Sequence, residues 1–222
     1  GAATKEAVGD AIADTLSAAG APETVILFYS GHGASEGANA YFLFQDSNPA
    51  RYYTSAWHME QLFIDIQRLR KGGTTIAFLD SCYSGAAALA LKGQEEKSQA
   101  LVARHEDELV RTQRQVAVMT SSVDSEPSKE DEGRRQGLFT ALLLEGLRGA
   151  ADVDKDGAVT FVEACDYADE GVRKASGRTM HPFRNFTRNF DQKLVLAGTR
   201  SAPAAVETPE PVRPKQPTHG DV

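Results

Sequence analysis

Apolar runs alternate with amphipathic stretches along this chain. Residues 4–19 place Val8, Ile12, Leu16 and Ala19 at helical spacing, and Gly20 and Pro22 end that helix. Val25-Ile26-Leu27-Phe28-Tyr29 follows as a continuous apolar run. Such a run suits a strand buried on both faces, as in a parallel sheet. Ser30-Gly31-His32-Gly33 then reads as a glycine-flanked turn. Tyr41-Phe42-Leu43-Phe44 predicts a second strand. Residues 54–70 predict a helix with Trp57, Leu62, Ile66 and Leu69 near one side, broken by Gly72-Gly73. Residues 74–79 predict a third buried strand, which ends in Asp80-Ser81-Cys82-Tyr83-Ser84-Gly85, and residues 116–120 a fourth. Between these two, residues 92–115 are dense in Lys, Arg, Glu and Gln, the pattern of a solvated helix or a linker. After a polar loop over 121–137, Phe139, Leu142, Leu143 and Leu147 mark an amphipathic helix, and 163–174 another.

This alternation predicts an α/β fold with a mostly parallel central sheet flanked by helices. In such sheets ligands bind beyond the carboxyl ends of the strands. His32 and Cys82 each fall just past one such end.

Composition narrows the picture. The 222 residues, 41% hydrophobic and 25% charged, are enough for one full-sized domain that needs no disulfide or metal to hold its core. The net charge of −7 and the lack of a basic run argue against a nucleic-acid partner. No apolar run reaches the ~20 residues of a spanning helix, so no membrane partner is expected. Cys82 and Cys165 are too few for a disulfide framework and favour a reducing compartment such as the cytoplasm. The chain opens at Gly1, just ahead of a 4–19 helix that already reads as mid-fold, so an earlier strand or leader would lie upstream. From Ala202 onward, five of the nine prolines stand among polar residues, and 199–222 reads as a disordered linker or tail leading to a possible partner domain.

The candidate chemistry is nucleophilic. A thiolate, not a thiol, attacks a carbonyl, and a nearby imidazole or helix N-terminus promotes its ionisation. Cys82 is the candidate nucleophile and His32 its general base. Gly31 and Gly33 leave the histidine's surroundings open, and the amides of Gly33 and Cys82 are candidate oxyanion donors. Taken singly, a cysteine is more often packing and a loop histidine merely solvated; the two strand-end settings together favour catalysis. Cys165 has no such setting and reads as packing.

Tyr29-Ser30-Gly31-His32-Gly33 and Asp80-Ser81-Cys82-Tyr83-Ser84-Gly85 resemble the two signature motifs of the caspase/metacaspase superfamily. His32 and Cys82 are 50 residues apart, about the separation known for caspases. The likeness runs over about 4–198, includes Gly137-Leu138-Phe139-Thr140, and is closer to bacterial caspase-like peptidases and metacaspases than to animal caspases, which carry Gln-Ala-Cys at the nucleophile. It implies a caspase-like domain over 1–198 whose first strand and helix are not in this chain. It also implies that Asp80 and Ser30 line the first substrate pocket. A carboxylate there would favour Arg or Lys and repel Asp or Glu. Asp80 could instead be a helix N-cap. Cleavage within the 92–115 segment, at Lys92, Lys97, Arg104, Arg111 or Arg114, would correspond to the family's self-processing of a zymogen.

A second motif is independent of the first. Asp152, Asp154, Asp156 and Glu163 occupy positions 1, 3, 5 and 12 of a calcium-binding EF-hand loop, and Gly157 takes position 6. Ala158 would offer its carbonyl and Thr160 a water-mediated contact, within a helix–loop–helix spanning 138–174. The competing reading is an acidic turn that caps the following helix. The resulting expectation is a cysteine endopeptidase acting on protein or peptide substrates after Arg or Lys, with Ca2+ as a structural or regulatory ion. Its alternatives are an inactive caspase-like scaffold, a calcium-binding interaction module, or another cysteine hydrolase on an α/β sheet.

Overall fold

A computed structural model describes residues 2–36, 39–83, 105–122, 130–131 and 136–198. Helix α1 (Lys5–Ala18) is opened by Thr4, whose hydroxyl accepts from the Ala7 amide. It leads to β1 (Thr24–Glu36), β2 (Asn39–Phe42), the single turn α2 (Tyr52–Ser55), β3 (Trp57–His58), α3 (Met59–Leu69) and β4 (Gly73–Tyr83). Helical residues 105–111 (α4) precede β5 (Arg114–Thr120). A short pair, β6 (Glu130–Asp131) and β7 (Gln136–Gly137), leads to α5 (Leu138–Glu145), then β8 (Ala158–Thr160), α6 (Phe161–Ala175), β9 (Phe183–Phe186) and β10 (Val195–Gly198).

The main sheet has the order β3-β2-β1-β4-β5-β9. Its three long central strands are parallel, and the flanking β2, β3 and β9 run antiparallel to their neighbours. The two-residue strand period sends alternate side chains to opposite faces. On one face Ala77, Leu79, Val116 and Val118 meet Leu16 of α1, Phe63 and Ile66 of α3, and Leu109 of α4. On the other, Ile76, Phe78, Ala117 and Met119 meet Phe139 and Leu143 of α5 and Ala164 and Val172 of α6. This is the expected helix-flanked α/β sheet.

The helix expected over 54–70 begins only at Met59, because Trp57 and His58 pair with β2 as β3. Three further expectations change. The glycine-flanked turn is absent, because β1 runs on to Glu36. Gly33–Glu36 are drawn into the sheet by antiparallel pairing with Asn39–Phe42. Likewise β4 continues through Tyr83, paired in parallel with β1. Second, β1 is not buried on both faces: Val25 is in the core, while Ile26 and Phe28 are each 50% exposed. Third, β8, β9 and β10 have no counterpart in the predicted elements. At three or four residues each, they are too short for alternation to register, and they form by pairing with β10, β5 and β8 respectively. Of the charged 92–115 segment, α4 is helical as one of the two readings required, and 92–104 lie outside the described residues, as do 199–222.

The entry to the central strands is held by a buried cation. Arg70 is 1% exposed, and its guanidinium donates to the carbonyls of Ala19 and Glu23 at 2.8 Å each. These bonds close the loop between α1 and β1. Gly73, the first residue of β4, has φ 77 and packs so tightly that a Cβ would overlap the Ala21 carbonyl. Gly73→Ala should therefore cost about 1–3 kcal/mol, from left-handed strain plus the overlap. The urea-unfolding midpoint measures this, and an unchanged midpoint would show that the loop yields freely.

Candidate active site

The parallel register of β1 and β4 brings the two halves of the candidate site together. Ser30 is opposite Asp80, and His32 is opposite Cys82. Adjacent strands lie about 4.8 Å apart, and positions two apart share a face. The four positions thus form two consecutive rungs at the C-terminal ends of the two strands, although the pairs are 50 residues apart in sequence.

The backbone at His32 is held from two sides. Its carbonyl accepts from the Leu43 amide at 2.9 Å and from the Tyr29 hydroxyl at 2.7 Å. That hydroxyl also lies 2.8 Å from the Leu43 carbonyl, so its proton is shared between the two. Tyr29 explains Gly31: a Cβ there would sit 2.7 Å from the Tyr29 oxygen. The His32 side chain is exposed, and Gly33 is buried in register with both Tyr83 and Phe42. A cleft of about 580 Å³ opens beside His32, with Ser30, Gly31, Phe28, Phe44 and Tyr52 among its lining residues. Asp80 does not line this cleft.

Asp80 is buried, and its Oδ2 accepts from the Thr140 amide at 3.3 Å and from the Thr140 hydroxyl. Thr140 lies in the first turn of α5, whose N-cap, Gly137, offers no side-chain cap. The carboxylate of β4 therefore caps a helix some 60 residues further along the chain. Gly137 has an ordinary φ of −57, yet a Cβ there would overlap the Asp80 carboxylate. The sequence contained one unused signal of this arrangement: Gly137-Leu138-Phe139-Thr140 opens a helix without Ser, Thr, Asp or Asn at its start, so the capping group had to come from elsewhere. Tyr29 was likewise missed as a support, because its role depends on a bond to the backbone of His32.

Cys165 is fully buried in the α6 core, and burial pushes its thiol up to about 12. It is a packing residue, as expected.

The acidic segment winds around its own carboxylates. Asp152 accepts from the amides of Asp156 and Gly157 at 3.1 Å each, and Asp156 accepts from Ala158 at 2.8 Å. Gly157 has φ 85, which suits the tight turn at that position. Ligand oxygens of Asp152, Asp154 and Asp156 lie within 4.8 Å of one another. Glu163 is not in that group. Its Oε2 accepts from the Thr160 amide at 2.9 Å and hydroxyl at 2.6 Å, while the Thr160 hydroxyl caps α6. These bonds, the Thr160 hydroxyl foremost, hold the Glu163 carboxyl below its usual range. β8, at the end of the loop, pairs with β10.

The caspase domain family, peptidase C14, matches residues 1–198. The chain belongs to this family of cysteine peptidases. Comparison with curated proteins gives no match. Among solved structures, protein GSU0716 from Geobacter sulfurreducens is similar with a TM-score of 0.54 at 16% identity, over 85% of this chain and 75% of that one. That likeness concerns the fold alone. Among the described residues, no helix of this caspase-domain chain is long and apolar enough to cross a membrane.

A buried thiol and a half-buried phenol set an alkaline limit on the domain. Burial raises Tyr29 from 10.0 to about 12 and Cys165 from 9.0 to about 12. Above pH 9 the unfolded chain begins to release protons that the folded chain retains, so stability falls as pH rises towards 12. Denaturant midpoints should decline across that window, and Cys165→Ala should remove the part that begins near 9. A decline identical in the variant would mean that Cys165 contributes nothing to it.

Proposed function

We propose that the chain is a cysteine endopeptidase in which Cys82 is the nucleophile and His32 its general base. The observation that carries this reading is the rung that sets residue 32 opposite residue 82, in a chain of a cysteine-peptidase family. In this mechanism the imidazole takes the thiol proton, and the thiolate sulfur bonds to the scissile carbonyl carbon. The oxyanion so formed is received by the amides of Gly33 and Cys82. The imidazolium returns its proton to the departing amine as the C–N bond breaks. Water, deprotonated by His32, then hydrolyses the thioester and frees the enzyme.

Asp80 and Ser30, one rung below, would select Arg or Lys at the cleaved position. Cys82→Ala should abolish turnover of Arg reporters, and matched Asp reporters should be cut at least tenfold more slowly than Arg reporters by the unaltered protein. Equal rates on both reporters would refute the basic specificity. Tight binding of peptides without turnover would favour the inactive-scaffold reading. Self-processing within 92–115 belongs to the same proposal: new N-termini should follow Lys or Arg in aged protein and be absent from Cys82→Ala.

Asp152, Asp154 and Asp156, with the Ala158 carbonyl, fit a calcium ion in donor type, since hard cations take oxygen ligands. Thr160 and Glu163 are engaged with each other, an arrangement that favours the acidic-turn reading for that end of the loop. Calcium bound to the folded state alone would raise its stability by linkage. The melting temperature should therefore climb with calcium in the unaltered protein and not in Asp154→Ala. Identical melts at every calcium level would leave only an acidic turn.

A further inference from the structure

We propose that Thr140 is a positioning residue that aims Asp80 at an incoming basic side chain, an inference that rests on the Arg/Lys specificity proposed above. The Thr140 amide and hydroxyl both donate to Oδ2 of Asp80. Two donors on one oxygen limit how far the carboxylate can turn. Both donors are neutral, so they orient the carboxylate without cancelling its charge. Among the described residues no Lys or Arg forms an ion pair with Asp80. A buried carboxylate held by neutral donors is stabilised by a cation that comes to it.

The surroundings are built for this contact. Thr140 is itself buried, so its hydroxyl competes little with water for the Asp80 oxygen. Gly137, lacking a Cβ, lets the carboxylate lie against the backbone where α5 begins. The helix start presents its amides to an anion. A freely rotating Asp80 would have to be ordered each time a substrate bound; Thr140 does that ordering in advance.

The test compares Thr140→Val, which keeps the shape and the amide but removes the hydroxyl donor, with Thr140→Ser, which keeps the donor. Thr140→Val should lower kcat/KM on an Arg reporter about tenfold, mainly through KM, as expected for one lost hydrogen bond to a charged group. Its rate on the neutral citrulline reporter should hold, and Thr140→Ser should restore the Arg rate. Equal losses on both reporters would assign Thr140 a merely structural role and overturn the proposal, as would an unchanged Arg rate in Thr140→Val. If the unaltered protein cuts no basic reporter, the proposed specificity of turnover fails by itself, and calorimetric titration with butylguanidine then decides Thr140's role. Binding weakened in Thr140→Val and Asp80→Asn but restored in Thr140→Ser supports it. No binding to the unaltered protein, or equal binding in all four, overturns it.

Discussion

The parallel register between Thr24–Gly33 and Thr74–Tyr83 is the constraint on which the candidate site depends. A slip of one residue would break both rungs and turn every side chain of one strand to the opposite face. The register is fixed mainly from the β4 side. Ile76, Ala77 and Phe78 are buried in two different cores, so neither parity of β4 can change without exposing one of them. The start of the strand is fixed as well: Arg70 ties the α1–β1 loop to the end of α3, and Gly73 passes beneath that loop too closely for any side chain. The alignment of residue 32 with residue 82 is therefore set far from either residue, at the opposite end of the strands.

The central strands were legible in the sequence because their apolar runs are long, although for β1 the run did not tell how it is buried, since Ile26 and Phe28 are half exposed. The amphipathic helices α3 and α6 were legible from one apolar stripe each, α1 from the spacing of Val8, Ile12 and Leu16, and α5 from a nearly continuous apolar run. What escaped was structure made by pairing alone. The extension of β1 beyond His32 contains Ser, Gly and Glu, which signal a turn, and it becomes a strand because β2 offers it a hydrogen-bonded partner. The candidate site divides in the same way. His32, Cys82 and the three clustered aspartates could be picked out from residue type and spacing. The Asp80–Thr140 contact could not, because it joins residues 60 apart that no local pattern links.

Asp80 brings two expectations into one place. As a cap for α5 it supplies the acceptor that Gly137 cannot, and as a buried anion beside the candidate nucleophile's rung it is suited to a basic substrate. An ionised carboxylate offers about four lone-pair sites, so the two roles do not exclude each other. They do make Asp80 hard to interpret by mutation. Its replacement would loosen the start of α5 as well as remove the proposed specificity group. A donor that touches only one of its oxygens separates the two effects, which is why Thr140 is the more informative position.

The same helix bears on what calcium could do. α5 begins at the Asp80 carboxylate and passes through a π turn, Gly146–Ala150, into Asp152. The acidic loop and the candidate site are thus joined by little more than one short helix. A physical connection of this kind switches catalysis only if the helix has two positions. The packing argues for one. Phe139 and Leu143 are buried against the sheet, Gly171 of α6 is in close contact with Leu142, and the Tyr167 hydroxyl donates to Glu145 at 2.6 Å. Interiors so filled resist sliding, because displacement in any direction opens a void or forces an overlap. An ion in the loop would therefore tighten a helix already in place. On this ground calcium should act on the stability of the domain rather than as an on–off control of the thiol.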